Sequence, residues 1–297
     1  MKHSGTVVRG IMKLLAAVTA CAAVIACAAA YTVLAAESVV QGNDKASVDI
    51  TNAADGYIRV TYKAETSSKL KVIVVTPKKT QYTYDLGTSK DGEVYPLTEG
   101  DGKYSVGVYT NTGGNKYATT FKTELDVKLR DAYAPFTVPS QYVNYNEKSK
   151  TVVKASELVK DKKTDLEKVA AVYDYVLGFK YDKEKAATVQ SGYLPDVDKI
   201  IAANPQKGIC FDYAAVMTAM LRSQKIPCQL VVGYAGEVYH AWINVYTKET
   251  GWIEGFIQFD GKTWRRMDPT FDSTGGGSGE VKKFIGDGSN YSAKYYY

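Results

Sequence analysis

The sequence predicts an α+β protein with an all-β first half and a second half whose helices lead into an antiparallel sheet. Three observations predict it. Between residues 47 and 129, short runs rich in Val, Ile, Thr and Tyr alternate with turn residues. From Leu166 the apolar spacing changes to three and four, the period of a helix packed on one face. After Ile226-Pro227 it changes back to strand-like runs, because proline pushes its predecessor towards extended backbone. The segment Ala134-Pro135-Phe136-Thr137-Val138-Pro139 breaks the first pattern. The expected organisation is 1–36 as an export segment, 37–133 as a β domain, 134–150 as a linker and 151–297 as a second domain.

The export segment has three parts. Lys2, Arg9 and Lys13 form a basic start, an uncharged alanine-rich run extends from Leu14 to Ala36, and Val33-Leu34-Ala35 offers a small-residue cleavage site. Val24-Ile25-Ala26-Cys27 is close to a lipobox and Val18-Thr19-Ala20-Cys21 is a weaker one, so a lipoprotein at Cys27 is one mode of retention. If never cut, the run is long enough to span a bilayer. The expected location is secreted or cell-surface associated, with membrane association only through this segment.

Composition then excludes several classes. Three of the 37 basic residues lie in the export segment, so 34 face 32 acids in the remainder, a net +2. These charges are interspersed, which argues against a nucleic-acid partner. Beyond the segment the chain keeps two cysteines, Cys210 and Cys228, and one histidine, His240. That is too few soft ligands for a structural zinc site, and no calcium loop of the EF-hand kind is present, so neither metal nor cofactor is expected.

In the first half, strands are expected at Ser47–Asn52, Tyr57–Lys63, Leu70–Thr76, Gln81–Leu86, Glu93–Leu97, Tyr104–Tyr109 and Tyr117–Leu129. Asp55-Gly56, Asp91-Gly92 and Asn111-Thr112-Gly113-Gly114-Asn115 supply the turns between them. Seven short strands in this length suggest an immunoglobulin-like β-sandwich. No polar cluster there would do chemistry, so a chain beginning near Ala134 is expected to keep the reactive group.

In the second half, Thr164-Asp165-Leu166-Glu167 is a capping box that starts a helix closed by Gly178. A short helix over Val197–Ala203, started by Asp196, leads into Asn204-Pro205-Gln206-Lys207-Gly208-Ile209-Cys210. There a new helix begins, with Ala214, Met217, Met220 and Leu221 on one face. Cys210 thus falls in the first turn, where unpaired N–H groups favour a thiolate. Taken alone, it reads more often as a small core residue. Strands follow at Gln229–Tyr234, His240–Tyr246, Phe256–Phe259 and Thr263–Met267, the last pair joined by Asp260-Gly261. Asp272–Gly279 reads as a mobile loop, and Gly236 as a loosened turn before His240. No role is assigned to the tyrosine-rich end, Tyr291–Tyr297.

A nucleophilic cysteine needs a base, and the base needs an acceptor that fixes its tautomer. His240 opens one strand, and Asp268 ends a neighbouring one. A lone histidine is more often a satisfied core or surface residue, and Asp-Pro is a common turn former. Together with Cys210, however, the three fall where a helix start and two strand ends can meet.

Four ordered blocks, Gly208-Ile209-Cys210-Phe211-Asp212-Tyr213-Ala214, Ile226-Pro227 with Val231-Val232-Gly233-Tyr234, His240-Ala241-Trp242 and Asp268-Pro269-Thr270, resemble the bacterial transglutaminase-like family. The resemblance covers roughly residues 150–275. It implies a papain-like transglutaminase core, with the cysteine helix packed on an antiparallel sheet. It also implies a triad of Cys210 as nucleophile, His240 as general base and acid, and Asp268 as orienting acceptor. Cys228 stands where the family more often has a small residue, and a Cys210–Cys228 disulfide would silence the nucleophile. Its place at a strand start behind the helix argues against that bond. The implied activity is acyl transfer on a peptide, protein or peptidoglycan-peptide amide, hydrolytic in the first reading. The alternatives are a cross-linking transglutaminase or a catalytically silent surface module that binds peptides. Gln206 and Tyr181 are candidates for a second oxyanion donor.

Overall fold

The structure is a computed structural model that describes residues 38–254, 257–259, 264–266 and 290–297, with backbone only for the two three-residue pieces. The expected export segment 1–36, Asp268 and the Gly/Ser-rich run 272–279 lie outside the described residues.

Eight strands build the first half. One antiparallel sheet has the order β1 (Val40–Gly42), β2 (Ala46–Asp49), β3 (Tyr57–Tyr62), β6 (Glu93–Pro96). The other has the order β5 (Gln81–Leu86), β4 (Leu70–Val75), β7 (Gly102–Gly113), β8 (Lys116–Val127). All seven expected strands are present within a few residues, and β1 is an addition. Alternation sets the inner faces: Val48, Ile58 and Val60 from one sheet and Val72, Val74, Val106 and Val108 from the other are fully or almost fully buried. At the corner before β7, the buried Tyr104 accepts from the Glu99 N–H at 3.1 Å and donates to the Gly100 carbonyl at 2.9 Å. One ring thereby ties the turn to the core.

The helices follow. α1 (Lys150–Val159) has no counterpart among the expected elements. α2 (Asp165–Leu177) begins at the expected capping box, with Thr164 and Glu167 satisfying each other's backbone N–H groups. α3 (Lys183–Thr188) and α4 (Val197–Ala202) are short, with Asp182 and Asp196 as N-caps. α5 (Cys210–Ser223) is apolar on every side, and each residue from Asp212 to Arg222 is buried. It is therefore the central helix of the second half, with no solvent face.

α5 lies on an antiparallel sheet of order β13 (Gly251–Ile253), β12 (Val238–Thr247), β11 (Cys228–Ala235), β16 (Tyr291–Tyr296). Short strands β9 (Lys180–Tyr181) and β10 (Lys207–Gly208) pair in parallel. β14 (Ile257–Phe259) and β15 (Trp264–Arg266) pair across the expected hairpin. The tyrosine-rich end is thus the edge strand beside β11. Gly236 does not loosen its turn. It is the first of two residues joining Ala235 to Val238, and its φ of 60° suits so tight a hairpin.

Residues 38–297 belong to one compact unit. Tyr82 and Tyr84 of β5 meet Tyr297 at ring-centre distances of 5.5 and 5.9 Å, and Tyr84 also meets Tyr95 and Tyr142. The fully buried Arg222 ties three distant segments together, donating to the carbonyls of Val138, Cys228 and Tyr297 at 2.8, 2.9 and 2.6 Å.

Candidate functional site

Cys210 is the first residue of α5, and its side chain is half-buried. The residue before it, Ile209, occupies the N-cap position with extended backbone and no side-chain acceptor. Isoleucine is among the poorest N-cap residues, since it cannot bond the first-turn N–H groups. Helices α2, α3 and α4 are each capped by a Thr or Asp side chain. The first turn of α5, like that of α1, has no cap bond from its N-cap side chain, and that of α5 carries the cysteine.

What fixes the turn instead is Asp212. Its side chain is fully buried and reaches back to accept from the Ile209 N–H at 2.9 Å. The same carboxylate meets the Lys185 ammonium of α3 and the Tyr193 hydroxyl, both at 2.5 Å. Lys185 also hydrogen-bonds Tyr193 and lies over its ring, 4.2 Å from the centre. Burial, and then the Asp212 carboxylate, push the Tyr193 hydroxyl well above its ordinary range, so it stays a donor. Gly208 makes room: a Cβ there would stand 2.6 Å from that of Asp212.

Two tyrosines share the electrostatic surroundings of Cys210. Parallel pairing of β9 with β10 sets Tyr181 opposite Gly208. Burial raises the Tyr181 hydroxyl, and negative charge on Cys210 raises it further. Tyr239, the residue before His240, is raised by burial and then by Tyr295, Tyr234 and Cys210. Cys210 thus acts on the residue before His240, and α5 packs against β12. Of the two candidate oxyanion donors, Tyr181 is the one that Cys210 acts on. The Gln206 amide faces the Tyr175 hydroxyl and the Ile201 carbonyl, at 3.4 and 3.5 Å.

His240 is buried and stands opposite Gly233 of β11. Its ring stacks with Trp242, 6.3 Å between centres, and meets the edge of Tyr291 at 6.2 Å. Tyr291 also stands at 89° to Trp242, closing an aromatic corner around the imidazole. Gly233 is required there, because a Cβ would fall 2.0 Å from the Ser292 carbonyl and 2.9 Å from the Trp242 ring. Tyr291 was missed in the sequence, although Tyr291, Ala293, Tyr295 and Tyr297 alternate as an edge strand would.

Cys228 is of a different kind. It is a free thiol, fully buried, bonded to Thr218 at 3.5 Å and pushed by burial up to about 12. Cys210 is also free, so no disulfide silences it. Among the described residues, no group of three His, Cys, Asp or Glu side chains could hold a metal.

Residues 153–269 match the family model of the transglutaminase-like superfamily, a span that encloses Cys210, His240 and Asp268. A protein from Bacillus subtilis (strain 168), described as "Uncharacterized protein YebA", is 27% identical over 184 residues, covering 54% of this chain and 25% of its own. The chain thus spans a quarter of that relative's length. A crystal structure described as a "putative cysteine protease" from Cytophaga hutchinsonii aligns at 17% identity with a TM-score of 0.37, covering 78% of this chain and 74% of its own. Red sea bream transglutaminase aligns at 12% identity with a TM-score of 0.24, covering 79% of this chain and 49% of its own.

Proposed function

We propose, from the match of residues 153–269 to the transglutaminase-like superfamily, that the chain is an exported cysteine-dependent acyl-transfer enzyme acting on peptide or cell-wall amides. What supports the proposal is the uncapped first turn of α5 with Cys210 at its head, and the electrostatic link from Cys210 to Tyr239, the residue before His240. In the proposed sequence, His240 takes the Cys210 proton and the thiolate attacks the amide carbonyl. The electron pair moves onto the carbonyl oxygen, where the Cys210 N–H and the Tyr181 hydroxyl receive it. Burial first, and then Cys210, raise the Tyr181 hydroxyl, so it stays protonated and able to donate. Collapse of the adduct expels the amine, which takes its proton from His240 and leaves a thioester on Cys210. Asp268 is assigned the orienting role towards His240.

Water attacking the thioester gives a free acid, whereas a primary amine gives a new amide. Val238 and Tyr239, at the start of β12 just before His240, are 54% and 57% exposed. Water therefore has access to this side of the cleft, which favours hydrolysis. The first half, 37–133, is assigned as an immunoglobulin-like sandwich. The strand order of its two sheets and the Tyr104 corner support that reading. The alanine-rich start of the chain supports export, with Cys27 as the candidate lipid-bearing residue.

The test offers a peptide library with and without a labelled primary amine and follows the products by mass. The reading expects release of free acid to outrun incorporation of the amine. Faster stable incorporation would move the chain to cross-linking, and no turnover of either kind would leave a peptide-binding surface module.

A further inference from the structure

The Asp212 cluster lies outside the triad, yet it places a buried carboxylate two residues from the proposed nucleophile. A negative charge so close opposes a thiolate unless something balances it. Lys185 is that balance, its Nζ 2.5 Å from Asp212 Oδ2. Lys185 comes from α3 and Tyr193 from the loop after it, so a segment inserted between α2 and α5 controls the charge beneath the cysteine turn. A buried carboxylate held by a backbone N–H, an ammonium and a hydroxyl is fully engaged in one geometry. The Ile209 N–H bond then fixes the orientation of the turn that carries Cys210.

We propose that Lys185, Tyr193 and Asp212 form a positioning clasp that orients the Cys210 turn and neutralises the charge beneath it. The proposal rests on Cys210 being the nucleophile, and it assigns the clasp no contact with substrate. Other ionisable groups act on the thiol: Tyr181 from β9 and Tyr239 from β12, with His240 the next residue along that strand. Asp182 and Lys207 pair with each other at 3.0 Å nearby, in the segments flanking α3 and α5. None of these changes in the variants below.

Charge balance predicts an order that a purely structural clasp would not produce. In the full-length protein, Cys210 alkylation by iodoacetamide is followed against pH by peptide mass mapping, with buried Cys228 as the internal report of folding. Lys185→Met leaves the carboxylate uncompensated, so the pH of half-maximal reactivity rises by about one unit. Asp212→Asn leaves the ammonium uncompensated, so the midpoint falls below that of the parent. The double variant returns close to the parent, and Lys185→Arg stays there. Should Lys185→Met expose Cys228, the downward shift in Asp212→Asn decides the matter alone. Folded variants with the parent's midpoint, or a double variant no closer to the parent than Lys185→Met, would overturn the proposal. A parent whose Cys210 reacts no faster than Cys228 would instead sink the nucleophile reading, while the order among the variants would still report on the clasp.

Discussion

At Cys210 the chemistry turns on what the surrounding backbone does with its donors. A polar residue at position 209 would cap the N–H groups of residues 211 and 212 and weaken the positive field that favours a thiolate at Cys210. The isoleucine found there leaves them available, and Asp212 restrains the turn from inside. If this is how the site works, Tyr181→Phe, which removes only a hydroxyl, lowers kcat by about 10²–10³. His240→Ala abolishes turnover, whereas Asp268→Ala leaves a residual rate because orientation, not proton transfer, is lost. Steady-state kinetics beside circular dichroism checks all three, since a variant that unfolds says nothing about chemistry. The motif blocks single out Cys210, His240 and Asp268 in the sequence as expectations. Tyr291 and Lys185 were not legible. They reach His240 and Asp212 only after a strand pairs at the sheet edge and a helix folds back, and neither carries a local signal.

Among the elements, β16 and Arg222 connect the site to the rest of the second half. β16 pairs with β11 through a register shift at Val232/Gly233, and that irregularity sets Tyr291 against the imidazole. Gly233→Ala must push Ser292 away, so it is expected to lower the melting temperature and activity together. Thermal melts and turnover on one preparation test that coupling. Arg222→Ala orphans three carbonyls in a buried site, and a loss of about 3–5 kcal/mol in urea unfolding is expected. Elements with strong local grammar were readable in advance: the capping box of α2, the alternating strands and the Asp196 cap of α4. α1 was not, because its buried stripe is Thr151, Ala155 and Val159, too small and too polar to stand out as an apolar face. The seemingly mobile glycine at 236 misled for the opposite reason: glycine permits a positive φ, and a tight hairpin uses the same freedom as a loose loop.

Across the whole molecule, tyrosine is the joining material. Tyr84, Tyr95, Tyr142 and Tyr297 stack where the two sheets of the first half meet the second half, and burial raises the hydroxyls of all four, that of Tyr142 to about 12. Their folded-state values lie above the unfolded value of about 10. The stability they contribute is therefore fully present below pH 10 and is lost as the pH rises towards the folded values. Alkaline titration should show part of the tyrosinate absorbance withheld until the protein unfolds. Full tyrosinate absorbance reached near pH 10 in a still-folded protein would contradict this. The same rings bear on the expectation that a chain beginning near Ala134 keeps its reactive cysteine. Such a chain exposes Tyr142 and Tyr297 and loses the carboxylate of Glu93 from Gln141. It is expected to melt at a lower temperature than the longer chain, even where Cys210 still reacts.

The central claim, that Cys210 is a nucleophile served by His240, is tested most directly by the labelling rates of the two thiols. Iodoacetamide applied near neutral pH, with adducts mapped by mass, should modify Cys210 long before Cys228, whose thiol is buried and raised to about 12. The advantage should shrink in His240→Ala. Equal, slow labelling of both cysteines in the folded parent, unchanged by His240→Ala, would contradict the account.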